Sequence, residues 1–231
     1  LREIDDLLKY LDKAENEINT AEPISTDPET LAVQLRDHKA FHDDLEAKRK
    51  AVNDTIDKCN KMLRETTNEE AEDIKNKLDT IRNQADLVCK LSSERLAVLE
   101  EALPLASHFS ETHADLQSWL GEIEAEIDSL DIPAESNVEQ VKKQQDNAKT
   151  TQRIIEDHKP LVEDLVNTGH ELMDLCTEED AQDLKEDIDH VTTKLDEVKA
   201  TIREKLHQLD DAFRSVTTDV GDTVDGLLEE Q

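Results

Sequence analysis

Apolar residues recur along this chain at alternating steps of three and four, the spacing that keeps one face of a helix turned toward a partner. Ile4, Leu7, Leu11, Ala14, Ile18 and Ala21 make the first run, and Pro23 closes it. Around Pro23 the backbone cannot stay helical. Asp27 ahead of Pro28 then offers a capping acceptor followed by proline at the first helical position, which predicts a restart there. A second run passes through Leu31, Leu35, His38, His42, Leu45, Arg49, Val52, Ile56, Cys59 and Leu63. Thr67 with Glu70 has the form of the N-terminal cap of a third helix.

The pattern then repeats at a spacing of about 110 residues, a period that marks tandem structural units. Leu7, Leu11 and Ile18 fall over Leu116, Leu120 and Ile127, while Leu45, Val52, Ile56 and Leu63 fall over Ile155, Val162, Val166 and Met173. Ile74, Leu78, Ile81 and Val88 match Leu184, Ile188, Val191 and Val198. In the second copy Pro133 makes the break, and Ser136 with Glu139 is the expected capping box. The second helix of that copy is expected to run unbroken through Val141, Gln145, Ala148, Gln152, Ile155, Lys159, Val162, Val166, Gly169 and Met173. Thr177 with Asp180 should cap its third helix. Polar residues recur at matching places, His42 with Gln152 and Arg49 with Lys159, so the seam there is expected to be loosely covered, with charged heads reaching water.

The boundary between the copies is not a break in the pattern. From Ile74 the seam continues through Leu78, Ile81, Ala85, Val88, Ser92, Arg95, Leu99, Ala102, Ala106, Phe109, His113, Leu116, Leu120, Ile123 and Ile127 to Leu130 in one phase. The last helix of copy one is therefore expected to be the first of copy two, a helix of roughly 60 residues and about 90 Å. Pro104 opposes this, since it deletes one hydrogen bond and crowds the carbonyl of Glu100, at a cost of about 3 kcal/mol. The unchanged phase on both sides predicts a kink rather than a loop. The expected organisation is all-α, with units at 1–106 and 107–216 and the start of a further helix or repeat at 217–231. In that last segment Val216, Val220, Val224 and Leu227 continue a stripe, which Gly221 and Gly226 weaken.

Composition sharpens the picture. The chain has 231 residues with 58 acidic against 27 basic, a net charge of -31, and only 4 Gly and 5 Pro, which disfavours β structure. Acidity of this degree also marks disorder, but a disordered chain has no reason to keep apolar residues in phase. The charge disfavours nucleic acid as a partner, because phosphate binding needs clustered Lys and Arg. Anionic membranes and acidic filament faces are disfavoured likewise. No stretch approaches eighteen apolar residues and no signal-peptide pattern opens the chain, so no direct membrane insertion is expected. The chain starts at Leu1 rather than Met and stops just after a helical run, as an excised piece would. Cys59, Cys89 and Cys176 give no disulfide framework, which suits a reducing compartment, and Cys59 is expected to be the buried one.

Three heptad helices per copy, the first-helix Trp119 and a helix shared across the junction together resemble the spectrin repeat, a left-handed three-helix coiled coil. The resemblance covers essentially the whole chain. Tyr10 stands in copy one where Trp119 stands in copy two, and the third-helix tryptophan of many spectrin repeats is absent from both. The junction LEEALPLASHFSETHADLQSWL, from Leu99 to Leu120, is similar to junctions in the rods of spectraplakins, proline in place of an ordinary junction residue being its specific part. What this resemblance implies is a cytoplasmic, cytoskeletal spacer within a much longer protein, whose actin-binding and microtubule-binding modules lie elsewhere.

Candidate chemistry adds little to that reading. His38 and His42, one turn apart, have the spacing of two metal ligands, but a third is missing and Ala148 and Gln152 replace them in copy two. A half-buried polar patch that responds to pH is the expectation. The segment Asp219 to Gly226 fails the alternating pattern of a calcium loop. No nucleophile elbow, phosphate loop or Cys-His pairing is present, and the carboxylate pairs lie on helix faces expected to be solvated rather than in a cleft. Trp119 is expected in the core. No catalytic, cofactor or metal residue is assigned, no cofactor is expected, and the segment reads as a monomeric, non-enzymatic rod. The rival reading is a protein-binding module in which one face of the rod docks a partner. Self-association through acidic faces is opposed by the net charge.

Overall fold

Helix follows from the sequence wherever the three-four spacing runs without proline. The computed structural model describes residues 2–65, 69–132, 134 and 136–229, with side chains left undescribed at Val220 and after Gly221. Six helices follow in order: α1 (Arg2–Asn19), α2 (Pro28–Leu63), α3 (Glu69–Asp128), α4 (Val138–Asp157), α5 (Lys159–Met173) and α6 (Glu178–Glu229). No strand occurs among the described residues. The architecture is two tandem three-helix bundles that share α3.

That shared helix is 60 residues long and contains Pro104 without a non-helical residue on either side. Its seam is the reason. Leu78, Ile81, Ala85, Val88, Ser92, Leu99, Ala102, Ala106, Phe109, Leu116, Leu120, Ile123 and Ile127 are all buried, and only Ile74, Arg95 and His113 of the predicted positions within the helix are less so. Burial on both sides of residue 104 outweighs one lost hydrogen bond, since a buried aliphatic side chain contributes roughly 1.5 to 3 kcal/mol.

The chain separates into two units, residues 1–107 with 172–180, and residues 108–171 with 181–231. In unit 1, α1, α2 and the first part of α3 bury Ile4, Leu11, Val52, Ile56, Leu78, Ile81 and Ala85 as one cluster, and Ala14, Leu45, Val88 and Cys89 as a second. Tyr10 packs against both, and its hydroxyl donates to Asp44. Helix α1 stops at Asn19, earlier than the pattern suggested, so Ala21 is exposed and lies outside it. Gln34 reaches back to hold the connection, accepting from Ser25 N at 2.9 Å and donating to Pro23 O at 3.0 Å. Asp27 caps α2 as expected, accepting from Thr30 N and Thr30 Oγ1 at 2.8 and 2.7 Å. Those two donors, the hydroxyl first, hold its carboxyl below the usual value.

Unit 2 uses the rest of α3 with α4, α5 and α6 around Leu116, Leu120, Ile127, Val141, Ala148, Ile155, Leu165, Val191, Val198 and Ile202. Three local expectations are corrected here. The capping box of α4 is Asn137 with Gln140, one residue beyond Ser136 and Glu139: Gln140 N donates to Asn137 Oδ1 at 2.9 Å and Asn137 N to Gln140 Oε1 at 3.0 Å. The second helix is not continuous but breaks at His158. Pro160 explains it, having no N–H to offer the carbonyl of Glu156 and a ring that crowds it. The heptad phase survives, with Ile155 and Val162 both buried. Lastly, Lys159 is exposed, whereas its counterpart Arg49 is half-buried. Thr177 caps α6 as expected, accepting from Asp180 N at 3.1 Å. The predicted cap at Thr67 and the break at Pro133 lie outside the described residues, as do the side chains of Val220, Val224 and Leu227; the backbone there is helical through Glu229.

Candidate functional site

In unit 1 the heptad places His38 and His42 of α2 on one face, and the seam of α3 puts Ser92 opposite both. His38 is buried, and its Nε2 lies 2.8 Å from the Ser92 carbonyl oxygen and 3.2 Å from Ser92 Oγ. A carbonyl can only accept, so Nε2 of His38 carries the proton. His42 Nδ1 lies 2.9 Å from the same Oγ. One fully buried serine thus joins the two rings. Burial, the main cause, pushes the His38 imidazole below its ordinary value. Arg95 and His42 act in the same direction, and the Ser92 carbonyl opposes them.

Beside this cluster an open groove of about 260 Å³ is lined by Ile18, Ala21, Phe41, His38 and Arg95, with Glu17, Glu22 and Asp37 on its walls. Arg95 donates from Nη2 to Glu22 O at 2.9 Å, and partial burial lowers its guanidinium from its ordinary value. In unit 2 the corresponding act falls to Lys205, which donates to Leu130 O at 3.1 Å. A cation from the third helix thus satisfies a carbonyl just past the first helix in both units, where orphan acceptors need partners.

Unit 2 places its tryptophan differently from expectation. Trp119 is half-buried rather than in the core, and its ring lies flat on His158 at a centroid distance of 3.8 Å and an angle of 3°. His158 Nδ1 donates to Ile154 O at 2.8 Å, closing the end of α4 that Pro160 creates. The buried places around it belong to Leu116 and Leu120. Gly169 fills the seam for another reason. A Cβ built there would meet Ile188 Cδ1 at 2.6 Å and Phe109 Cε2 at 2.9 Å, so the absent side chain is what lets the phenylalanine ring in.

On the outer side of unit 1, Arg49 bridges α2 to α3 through Asp86 at 3.1 Å. Lys159, its counterpart, turns along its own helix to Glu163 at 4.0 Å. A groove of about 470 Å³ between α5 and α6, with Val162, Val166 and Leu195 among its lining, stays open there. Cys89 is the buried cysteine, not Cys59, which is half-buried against the core. Burial pushes the Cys89 thiol up to about 11, so it behaves as an apolar filler. Among the described residues no group of three or more His, Cys, Asp or Glu is placed to hold a metal ion, and no helix is long and apolar enough to cross a membrane.

Sequence reading listed Ser92, Arg95 and Gly169 as seam positions without seeing what each does. Ser92 brings a hydroxyl and Gly169 a missing side chain into runs built largely of apolar residues, which is the signal that was available. Pro160, two residues after His158, was the available signal for the helix break.

Two heptad-patterned bundles on a shared helix define a spectrin-type repeat pair, and the spectrin repeat family model matches residues 1–101 and 105–211. The chain belongs to the spectrin repeat family. Among curated proteins it is 29% identical over 225 residues to microtubule-actin cross-linking factor 1 of Rattus norvegicus, covering 96% of this chain and 4% of that protein. It is 26% identical over 224 residues to isoforms 6/7 of microtubule-actin cross-linking factor 1 of Homo sapiens, covering 96% of this chain and 6% of that protein. These relatives are spectraplakins, and the chain spans only about one-twentieth of their length.

Proposed function

We propose that this chain is a non-enzymatic spacer segment of a giant cytoskeletal linker, setting distance and transmitting force between actin, microtubule and adhesion modules carried elsewhere in the parent protein. Its units are residues 1–106 and 107–216, with 217–231 beginning a further helix or repeat, and it works as a monomer in the cytoplasm. The observation that carries this reading is α3. The two family matches meet inside that one helix, between residues 101 and 105, so tension on one unit would reach the other through one helical backbone.

Likeness to actin-microtubule cross-linkers supports the cytoskeletal part of the reading. The acidic surface supports solubility and self-repulsion rather than assembly. Stretching the chain between its termini tests the force-bearing part. A spacer holds its native length and then yields in cooperative, reversible steps, each releasing on the order of 300 Å for a unit of this size. Gradual extension at low force, with no steps, would contradict the proposal.

A further inference from the structure

The second helix of each unit passes an aromatic ring of the helix before it at the same place, but only one of the two is broken there. In unit 1, α2 runs through Lys48 and Lys50 as one helix, and the Lys48 ammonium lies over the Tyr10 ring, 5.3 Å from its centroid. Under the shift of about 110 residues, His158 takes the place of Lys48, Pro160 that of Lys50 and Trp119 that of Tyr10. The Trp119 and His158 rings are stacked at 3.8 Å and 3°. A stack of two half-buried rings thus replaces an exposed cation over a ring, just where the helix ladder fails.

We propose that His158 is a hinge within unit 2 and Trp119 the clasp that holds it shut, so that freeing the ring lets α4 and α5 open locally while the rest of the unit stays folded. His158 carries backbone bonds on both sides of the break. Its N–H is shared between the carbonyls of Ile154 and Ile155, both at 3.3 Å, and its own carbonyl accepts from Leu161 and Val162 at 3.1 and 3.2 Å. Long, shared bonds on one side and a three-residue step on the other are weaker than the regular ladder they replace, and Pro160 has no N–H to add to them. Side chains make up the difference. His158 Nδ1 donates to Ile154 O at 2.8 Å, which fixes the ring on the end of α4, and Trp119 ties that ring to α3.

Beyond the joint, the first turn of α5 is thinly held. Lys159, Pro160 and Leu161 are all exposed, and only Val162 of that turn is buried. Lys159, Val162 and Glu163 border the open groove between α5 and α6, which leaves that turn room to move. Farther out both helices are anchored. Thr151 and Ala148 of α4 are fully buried, as are Leu165 and Leu172 of α5, and Gly169 holds the Phe109 ring close against its backbone. Motion freed at His158 is therefore confined to the turns beside it, a local opening of the kind that amide exchange records.

Hydrogen exchange at neutral pH, read by mass spectrometry on the intact chain, tests this in the native protein, W119A and W119A/P160A. The readout is exchange over residues 155–163, with residues 184–198 of the same unit and residues 45–53 of unit 1 as references. W119A should exchange several-fold faster than the native chain over 155–163, with both references unchanged. P160A supplies the missing N–H and lets the two helices join, so in W119A/P160A the acceleration should fall below about twofold. Should W119A lose its helicity, H158A and H158A/P160A, which leave α3 intact, take the same places in the comparison. Unchanged exchange over 155–163 on removal of the stack overturns the proposal. Acceleration spread evenly over 155–163 and 184–198 does so too, since it marks the ring as a support of the whole unit, and so does acceleration that persists undiminished when Pro160 is replaced.

Discussion

The two units solve one packing problem with different chemistry. At the layer one turn before Leu45 and Ile155, unit 1 spends two histidines and a serine while unit 2 uses alanine, glutamine and isoleucine. At the next layer out, Arg49 pins α2 to Asp86 of α3, while Lys159 turns along its own helix. Heptad register therefore constrains which positions face inward but leaves open how each is filled. Unit 1 closes this layer with directional polar contacts, whereas unit 2 closes it with apolar shape.

The largest test of that comparison is on equivalent core positions. Leu45 and Ile155 are each 1% exposed, so L45A and I155A should each cost about 2 to 5 kcal/mol in their own unit. Urea denaturation with helicity as readout checks this, and a cost below 1 kcal/mol at either site would break the equivalence. Next comes G169A. A Cβ cannot be placed against Phe109 and Ile188 without displacing them, and overpacking of this kind costs about 1 to 3 kcal/mol, partly offset by the roughly 1 kcal/mol helix preference of Ala over Gly. A variant more stable than the native chain would show that the ring moves freely.

W119A should cost less than the 3 to 5 kcal/mol of a fully buried ring, because Trp119 is half-buried. Its stack on His158 accounts for about 0.5 to 1.5 kcal/mol beyond buried area. H158A in the same background should then add little, and a large additional loss would separate the cap from the stack. Smallest is N137A, which removes one half of a capping box and should cost about 1 kcal/mol.

Much of this was legible in the sequence. The shared helix, its passage through Pro104 and nearly every seam residue of α3 follow from an unbroken three-four phase, because period encodes facing direction directly. Depth is not encoded that way. Cys59 lies in phase yet is only half-buried, whereas Cys89, one position past the seam residue Val88, is buried with Ala14 and Leu45. Trp119 flanks the buried seam residues Leu116 and Leu120, and its half-buried ring lies on His158 at the break between α4 and α5. The meeting of His38 and His42 on Ser92 joins residues more than 50 positions apart, and periodicity within one helix carries no information about which residue stands opposite.

The proposed spacer role requires α3, one helix shared by two spectrin repeats, to keep the ends of the segment apart. Small-angle X-ray scattering of the intact chain measures this most directly through its maximum dimension. Two repeats in line, each about 40 to 50 Å long, predict a value near 100 Å, with a distance distribution skewed toward short separations as in a rod. A maximum dimension close to half that, with a symmetric distribution, would mean that the bundles fold back on one another, and would contradict the account.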